Sequence, residues 1–91
     1  MSGDKSINVE YSKKFLRSIK KLSKDLQGKA LEYEELFRRN IFDPRLHTHK
    51  LHGKDKDLWA YSINNKYRIK FLFFENDTVL YIDIGTHDEV Y

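Results

Sequence analysis

Ile7-Asn8-Val9-Glu10-Tyr11 alternates apolar and polar side chains, the period of a half-buried strand. Ser12 follows as an N-cap, and Phe15, Leu16, Ile19 and Leu22 then recur at helical spacing, with basic residues on the other side. Ser23 caps a second helix, in which Leu26, Ala30, Tyr33 and Phe37 line one face. Asn40 and Asp43-Pro44 end it, because the residue before a proline resists the α region. Residues 44–57 read as a long loop, and long loops are often functional. Leu58 to Ile63, Tyr67 to Phe73 and Val79 to Ile84 are rich in aromatic and β-branched residues and predict three strands. Asn64-Asn65 and Glu75-Asn76-Asp77 are the turns between them.

The order β-α-α-β-β-β predicts a small α+β domain spanning residues 1–91. A helix hairpin packs on one face of a mostly antiparallel four-stranded sheet. A two-residue turn at Asn64-Asn65 would pair Ile63 with Lys66 and Tyr61 with Arg68, and directly opposed residues share a face. Leu58, Ala60, Tyr67, Ile69, Phe71 and Phe73 then form the core face. Trp59, Tyr61, Arg68 and Lys70 form the open face. Two aromatics and two cations there suit the stacking of bases and the holding of phosphates. The plainer alternative is aromatics packed under the loop beside ordinary exposed cations.

Charge leaves the same question open. The 91 residues hold 17 Lys plus Arg against 14 Asp plus Glu, a net charge of +3 that permits a nucleic-acid partner without requiring one. From Lys13 to Lys24 there are six basic residues and no acid, either a solvated helix face or a phosphate-facing surface. Cysteine is absent, which excludes disulfides, thiolate chemistry and zinc sites built on sulfur. The first six residues carry no apolar run, and no apolar stretch approaches the ~20 residues of a membrane span. A cytoplasmic chain without a membrane partner or cofactor is expected.

Three of the four histidines lie in the long loop, at His47, His49 and His52, and the fourth, His87, stands just past the last strand. Imidazole transfers protons near neutrality, and Arg68 offers a permanently charged fork for a phosphate. Two proton-transfer groups and one arginine suffice for RNA cleavage without a metal. One group takes the proton of a ribose 2′-OH, the arginine stabilises charge on the attacked phosphate, and the other group protonates the departing 5′-oxygen. Either His49 or His52 can reach the sheet face. The rival reading, a metal held by His47, His49 and His52, lacks a carboxylate at a recognised ligand spacing.

Phe15 to Leu22, Lys50-Leu51-His52-Gly53, Leu58-Trp59, Lys66-Tyr67-Arg68-Ile69 and Asp83-Ile84-Gly85-Thr86-His87 occur in that order. Together they resemble the RelE/ParE superfamily, the toxin halves of type II toxin–antitoxin modules, over nearly the whole chain. The nearest likeness is to the YafQ- and YoeB-like mRNA interferases. The resemblance implies a RelE-like fold and a ribosome-dependent, metal-independent endoribonuclease that inhibits translation. It implies His49 as base, Arg68 as transition-state stabiliser, His87 as proton donor and Tyr91 as the aromatic that follows it. Lys54 and Trp59 follow as RNA contacts, and Lys50, His52, Tyr61 and Lys70 complete the expected RNA-binding set. YafQ carries a further histidine and aspartate near the places where Ile63 and Tyr67 stand here. The implied partners are a cognate antitoxin, the ribosome and mRNA. The alternatives are a ParE-like inhibitor of DNA gyrase and a non-catalytic member that binds only antitoxin or RNA; fold alone does not separate them.

Overall fold

The structure, a computed structural model, describes residues 6–53 and 57–86. Strand β1 (Asn8–Tyr11) leads into helices α1 (Lys13–Lys20) and α2 (Lys24–Arg39). A 3₁₀ turn (Pro44–Leu46) and the short strand β2 (His49–Lys50) follow. The meander β3 (Trp59–Ser62), β4 (Tyr67–Glu75) and β5 (Thr78–Thr86) comes last. Among the described residues no helix is long and apolar enough to cross a membrane.

Both helix starts follow from their serines. Ser12 Oγ accepts the Phe15 N–H at 3.0 Å, and Ser23 Oγ accepts the Leu26 N–H at 3.2 Å. Each bond satisfies one of the donors that a helix start leaves unpaired. Ser12 Oγ also donates to the Ile82 carbonyl at 2.8 Å and so ties α1 to β5.

The sheet has five strands in the order β1-β5-β4-β3-β2, not the four expected. It is mixed: β1 runs parallel to β5 and the other three pairings are antiparallel. The additional strand is β2, two residues inside the segment read as a loop, which pair with Ala60 and Trp59. A two-residue strand has no periodicity to read.

The turn between β3 and β4 corrects the predicted faces. Ile63 N–H donates to the Tyr67 carbonyl at 3.1 Å, so the turn holds three residues, Asn64 to Lys66, rather than two. The Asn64 side chain imposes this: its Oδ1 accepts from the Lys66 N–H (2.8 Å) and the Tyr67 N–H (2.7 Å). One residue of slip turns a strand over. The register is therefore Trp59 with Phe71, Tyr61 with Ile69, and Ser62 with Arg68. Trp59 and Tyr61 join Ile69 and Phe71 on the helix-covered side. Arg68 and Lys70 keep the open face, now with Ala60 and Ser62.

Tyr61 is consequently a core residue. Phe37 of α2 stacks on it with ring centroids 4.6 Å apart and meets Phe71 edge-on at 4.9 Å. Tyr81 closes the cluster, 5.7 Å from Phe37. All four rings are fully buried, and truncating any one to alanine would cost about 3–5 kcal/mol. In β5 the register passes from Lys70–Asp83 to Phe71–Tyr81, which leaves Ile82 as a bulge. Beside that bulge Asp83 accepts from Ser18 Oγ at 2.6 Å and lies 3.5 Å from Lys14 Nζ, fixing α1 over the strand.

Candidate functional site

The site begins at Asp43-Pro44-Arg45. Asp43 caps the 3₁₀ turn by accepting the Arg45 N–H at 2.9 Å, and Pro44 supplies the preset φ of a first helical position. The Arg45 guanidinium folds back on the Asp43 carboxylate in a bidentate pair, with Nε and Nη2 each 3.0 Å from an oxygen. That bonding holds the Asp43 carboxyl below the usual aspartate range and raises the Arg45 pKa in return. Leu46 anchors the turn in the core with no exposure. His47 ends it in the left-handed region, φ 52° and ψ 41°.

Chain direction then puts His49 on β2, opposite Ala60. Its ring is oriented locally: Nδ1 lies 2.9 Å from the His47 carbonyl oxygen. Arg68 comes from β4, opposite Ser62. Its Nη1 donates to the carbonyls of Asn64 (3.2 Å), Asn65 (3.4 Å) and Tyr67 (3.4 Å). The three-residue turn thus holds the guanidinium as well as setting the register.

His49 and Arg68 line one open cleft of about 530 Å³ at this end of the sheet. Arg45, His47, Ser62 and Asn64 line it with them, and Tyr33 of α2 stands at its wall. Two arginines, two imidazoles, two hydroxyls (Ser62 and Tyr33) and two side-chain amides (Asn64 and Asn65) around one solvent-filled space can bind an anion and move a proton beside it. Among the described residues no group of three or more His, Asp and Glu side chains is placed to hold a metal ion.

The remaining sequence-predicted residues divide as follows. Lys70 shares the open face with Arg68 but lies two residues further along β4, away from the cleft lining. Lys50 pairs with Trp59, on the opposite side of the sheet from Arg68. His52 is exposed and does not line the cleft. Trp59 is half-buried between Phe42 and Phe73, with centroids at 5.8 and 5.5 Å. Tyr61 has no exposed surface, and its hydroxyl is paired with that of Tyr81, which removes it from any RNA-binding role. Lys54, His87 and Tyr91 lie outside the described residues. Arg45 and His47 were not singled out from the sequence as cleft residues. The signal for Arg45 was present, since Asp-Pro-x is a capped turn that brings the third residue back over the first.

No family model matches the sequence, and no curated protein matches it. Solved structures do. A mutant of E. coli YafQ matches with a TM-score of 0.73 at 17% identity, over 93% of this chain and 98% of that one. The RelBE toxin–antitoxin complex of Mycobacterium tuberculosis matches with a TM-score of 0.76 at 14% identity, over 90% of this chain and 99% of that one. The chain has the fold of the RelE-like toxins. A YoeB/ParE toxin from Agrobacterium tumefaciens agrees, with a TM-score of 0.74 at 12% identity over 89% of this chain and 99% of that one. The RelE-like architecture expected from the sequence therefore stands, with the strand count and the mixed pairing corrected as above.

Proposed function

We propose that this chain is the toxin of a type II toxin–antitoxin pair and cleaves mRNA on the ribosome. The observation that carries the reading is the meeting of His49 and Arg68 in one cleft, from elements far apart in sequence. His49 takes the proton of the ribose 2′-OH. The 2′-oxygen attacks the adjacent phosphorus, and the bond from phosphorus to the 5′-oxygen breaks. Arg68 stabilises the charge growing on the non-bridging oxygens, an electrostatic role that its fixed fork suits. His87 protonates the leaving 5′-oxygen and Tyr91 follows it, as the resemblance implies. The substrate supplies the nucleophile, so no metal is needed. Lys50, His52, Lys54, Trp59 and Lys70 remain the proposed RNA contacts, and the cytoplasm is the proposed compartment.

The proposed protein partner is a cognate antitoxin. Between α1 and α2 runs an apolar groove of about 270 Å³, and its rim leaves Leu16 44% and Leu31 65% exposed. Arg17 and Lys20 close the last turn of α1 beside it. A partner segment with an apolar ridge and acidic flanks fits that surface.

The deciding experiment maps cuts in a ribosome-programmed message by primer extension, for the parent chain and for His49→Ala and Arg68→Ala. Cuts that fade in both variants support the reading. A folded parent that makes no cuts overturns it, and trapped gyrase–DNA complexes in cells producing the chain would replace it with gyrase inhibition.

A further inference from the structure

The cleft is lined by two guanidiniums, and each is tied to the chain along one side. Arg45 gives its Nε–H and one Nη2–H to Asp43, both at 3.0 Å. Its Nη1 donors and the second Nη2 donor bond to nothing among the described residues. Arg68 is held the other way round. Its Nη1 points to the carbonyls of Asn64, Asn65 and Tyr67, so Nε and Nη2 are left over. Each arginine therefore keeps one edge with a pair of parallel N–H donors, the arrangement that grips two oxygens of a phosphate.

The plain reading of Arg45 is a surface ion pair. Its exposure argues for more. The Arg45 side chain is 67% exposed, whereas that of Asp43 is 15% exposed and is already used by the turn, where it accepts the Arg45 N–H. The pair thus fixes a fork that faces solvent, and the cost of ordering it is met before any ligand arrives. Asp43 offsets the charge at long range, so Arg45 acts through directed donors at contact distance rather than through its field.

The two forks are also kept apart. β3 lies between β4, which carries Arg68, and β2, which the Arg45 turn leads into. Two strand spacings are about 10 Å. Neither fork can cross to its neighbour's anion without breaking its own bonds. A chain of RNA carries a phosphate on either side of the one that is cut. We infer that Arg45 is a second phosphate-binding residue, which holds a phosphate next to the scissile one while Arg68 holds the scissile one. Asp43 is its positioning residue. The inference rests on the ribonuclease reading for its substrate.

The test programmes ribosomes with a short synthetic message in which one linkage, just before or just after the cut, is an uncharged methylphosphonate. Arg45→Gln keeps the backbone N–H that Asp43 caps, so the turn stays. On the all-phosphate message Arg45→Gln should raise the half-saturating toxin concentration about tenfold, the weight of one charge-assisted hydrogen bond. The saturated rate should change less. One of the two neutral linkages should weaken the parent by a similar factor and leave Arg45→Gln no weaker than before. Losses that multiply at both linkages overturn the inference, and so does a loss confined to the saturated rate.

A second measurement does not depend on cleavage. A 2′-O-methyl trinucleotide, which has two phosphates and no 2′-OH to attack with, is added at millimolar concentration while arginine Nε–H signals are followed by NMR. The Arg45 and Arg68 signals should both move. An unmoved Arg45 signal overturns the inference. Both signals moving in a parent that cuts no message would sink the ribonuclease reading and leave the two-phosphate site standing.

Discussion

The hydroxyls of Tyr61 and Tyr81 lie 2.8 Å apart, each the other's hydrogen-bond partner, inside a core that gives neither residue any exposure. Burial pushes both phenols well above the ordinary tyrosine pKa, so the pair stays neutral. Replacing one tyrosine strands the other's hydroxyl. Tyr61→Phe should therefore cost about 1–3 kcal/mol, the penalty for an unpaired buried polar group. Tyr61→Phe with Tyr81→Phe should recover most of it, since two apolar rings of the same shape need no partner. Urea midpoints for the two singles and the double decide this. A Tyr61→Phe chain as stable as the parent would show that the pair contributes nothing.

Arg68 is asked for a fork as well as a charge. Arg68→Ala should lower message cleavage by about 10²–10³-fold, the usual loss when a donor to a developing oxyanion is removed. Arg68→Lys should restore only part of that rate, because an ammonium lacks the paired donors. Rates from single-turnover cleavage, with folding checked by circular dichroism, test the order. Full activity in Arg68→Lys would reduce the role to simple charge.

Asn64 holds the turn that sets the register. Asn64→Ala removes the acceptor of two backbone N–H groups, 2.7 and 2.8 Å away, and should cost about 1 kcal/mol. Asn64→Asp keeps the acceptor and should sit close to the parent. Thermal midpoints of the three chains make the comparison. Equal losses in alanine and aspartate would mean that the side-chain bond is not what fixes the turn.

Acid should loosen the cap of the 3₁₀ turn. Asp43 titrates lower in the folded chain than in the unfolded one because Arg45 bonds its carboxylate. Its stabilising contribution is complete above the unfolded value, about 3.9, and is lost as pH falls through the lower folded value. The Arg45 amide signal should follow that step in a pH series, and Asp43→Asn should abolish it. An amide that titrates at or above the ordinary aspartate value would contradict the assignment.

Local chemistry was readable in the sequence, and long-range pairing was not. Ser12 and Ser23 announce the helices because a cap is a contact between residues three apart. The register of β3 on β4 turned on whether Lys66 belongs to the turn or the strand. The Asn64 side chain decides that through bonds no periodicity reports. Tyr61 accordingly moved from the open face to the core. The pairing of β1 with β5 was equally invisible, since nothing in Asn8–Tyr11 names its partner. Arg68 could be singled out by its chemistry alone, whereas chemistry left His49 and His52 as equals and only the family resemblance favoured His49. Arg45 and His47 join Arg68 and His49 only because a turn of three residues folds back beside β2.

The parallel pairing of β1 with β5 joins residues 8–11 to residues 78–81. A growing chain carries its first strand through most of its synthesis with nothing to pair it to. Phe15 and Phe37 likewise wait for Tyr81 to complete their cluster. The first strand can therefore dock only once residues 78–81 have been made, and a chain broken off before Thr78 leaves Asn8–Tyr11 an unmatched strand and the core without Tyr81.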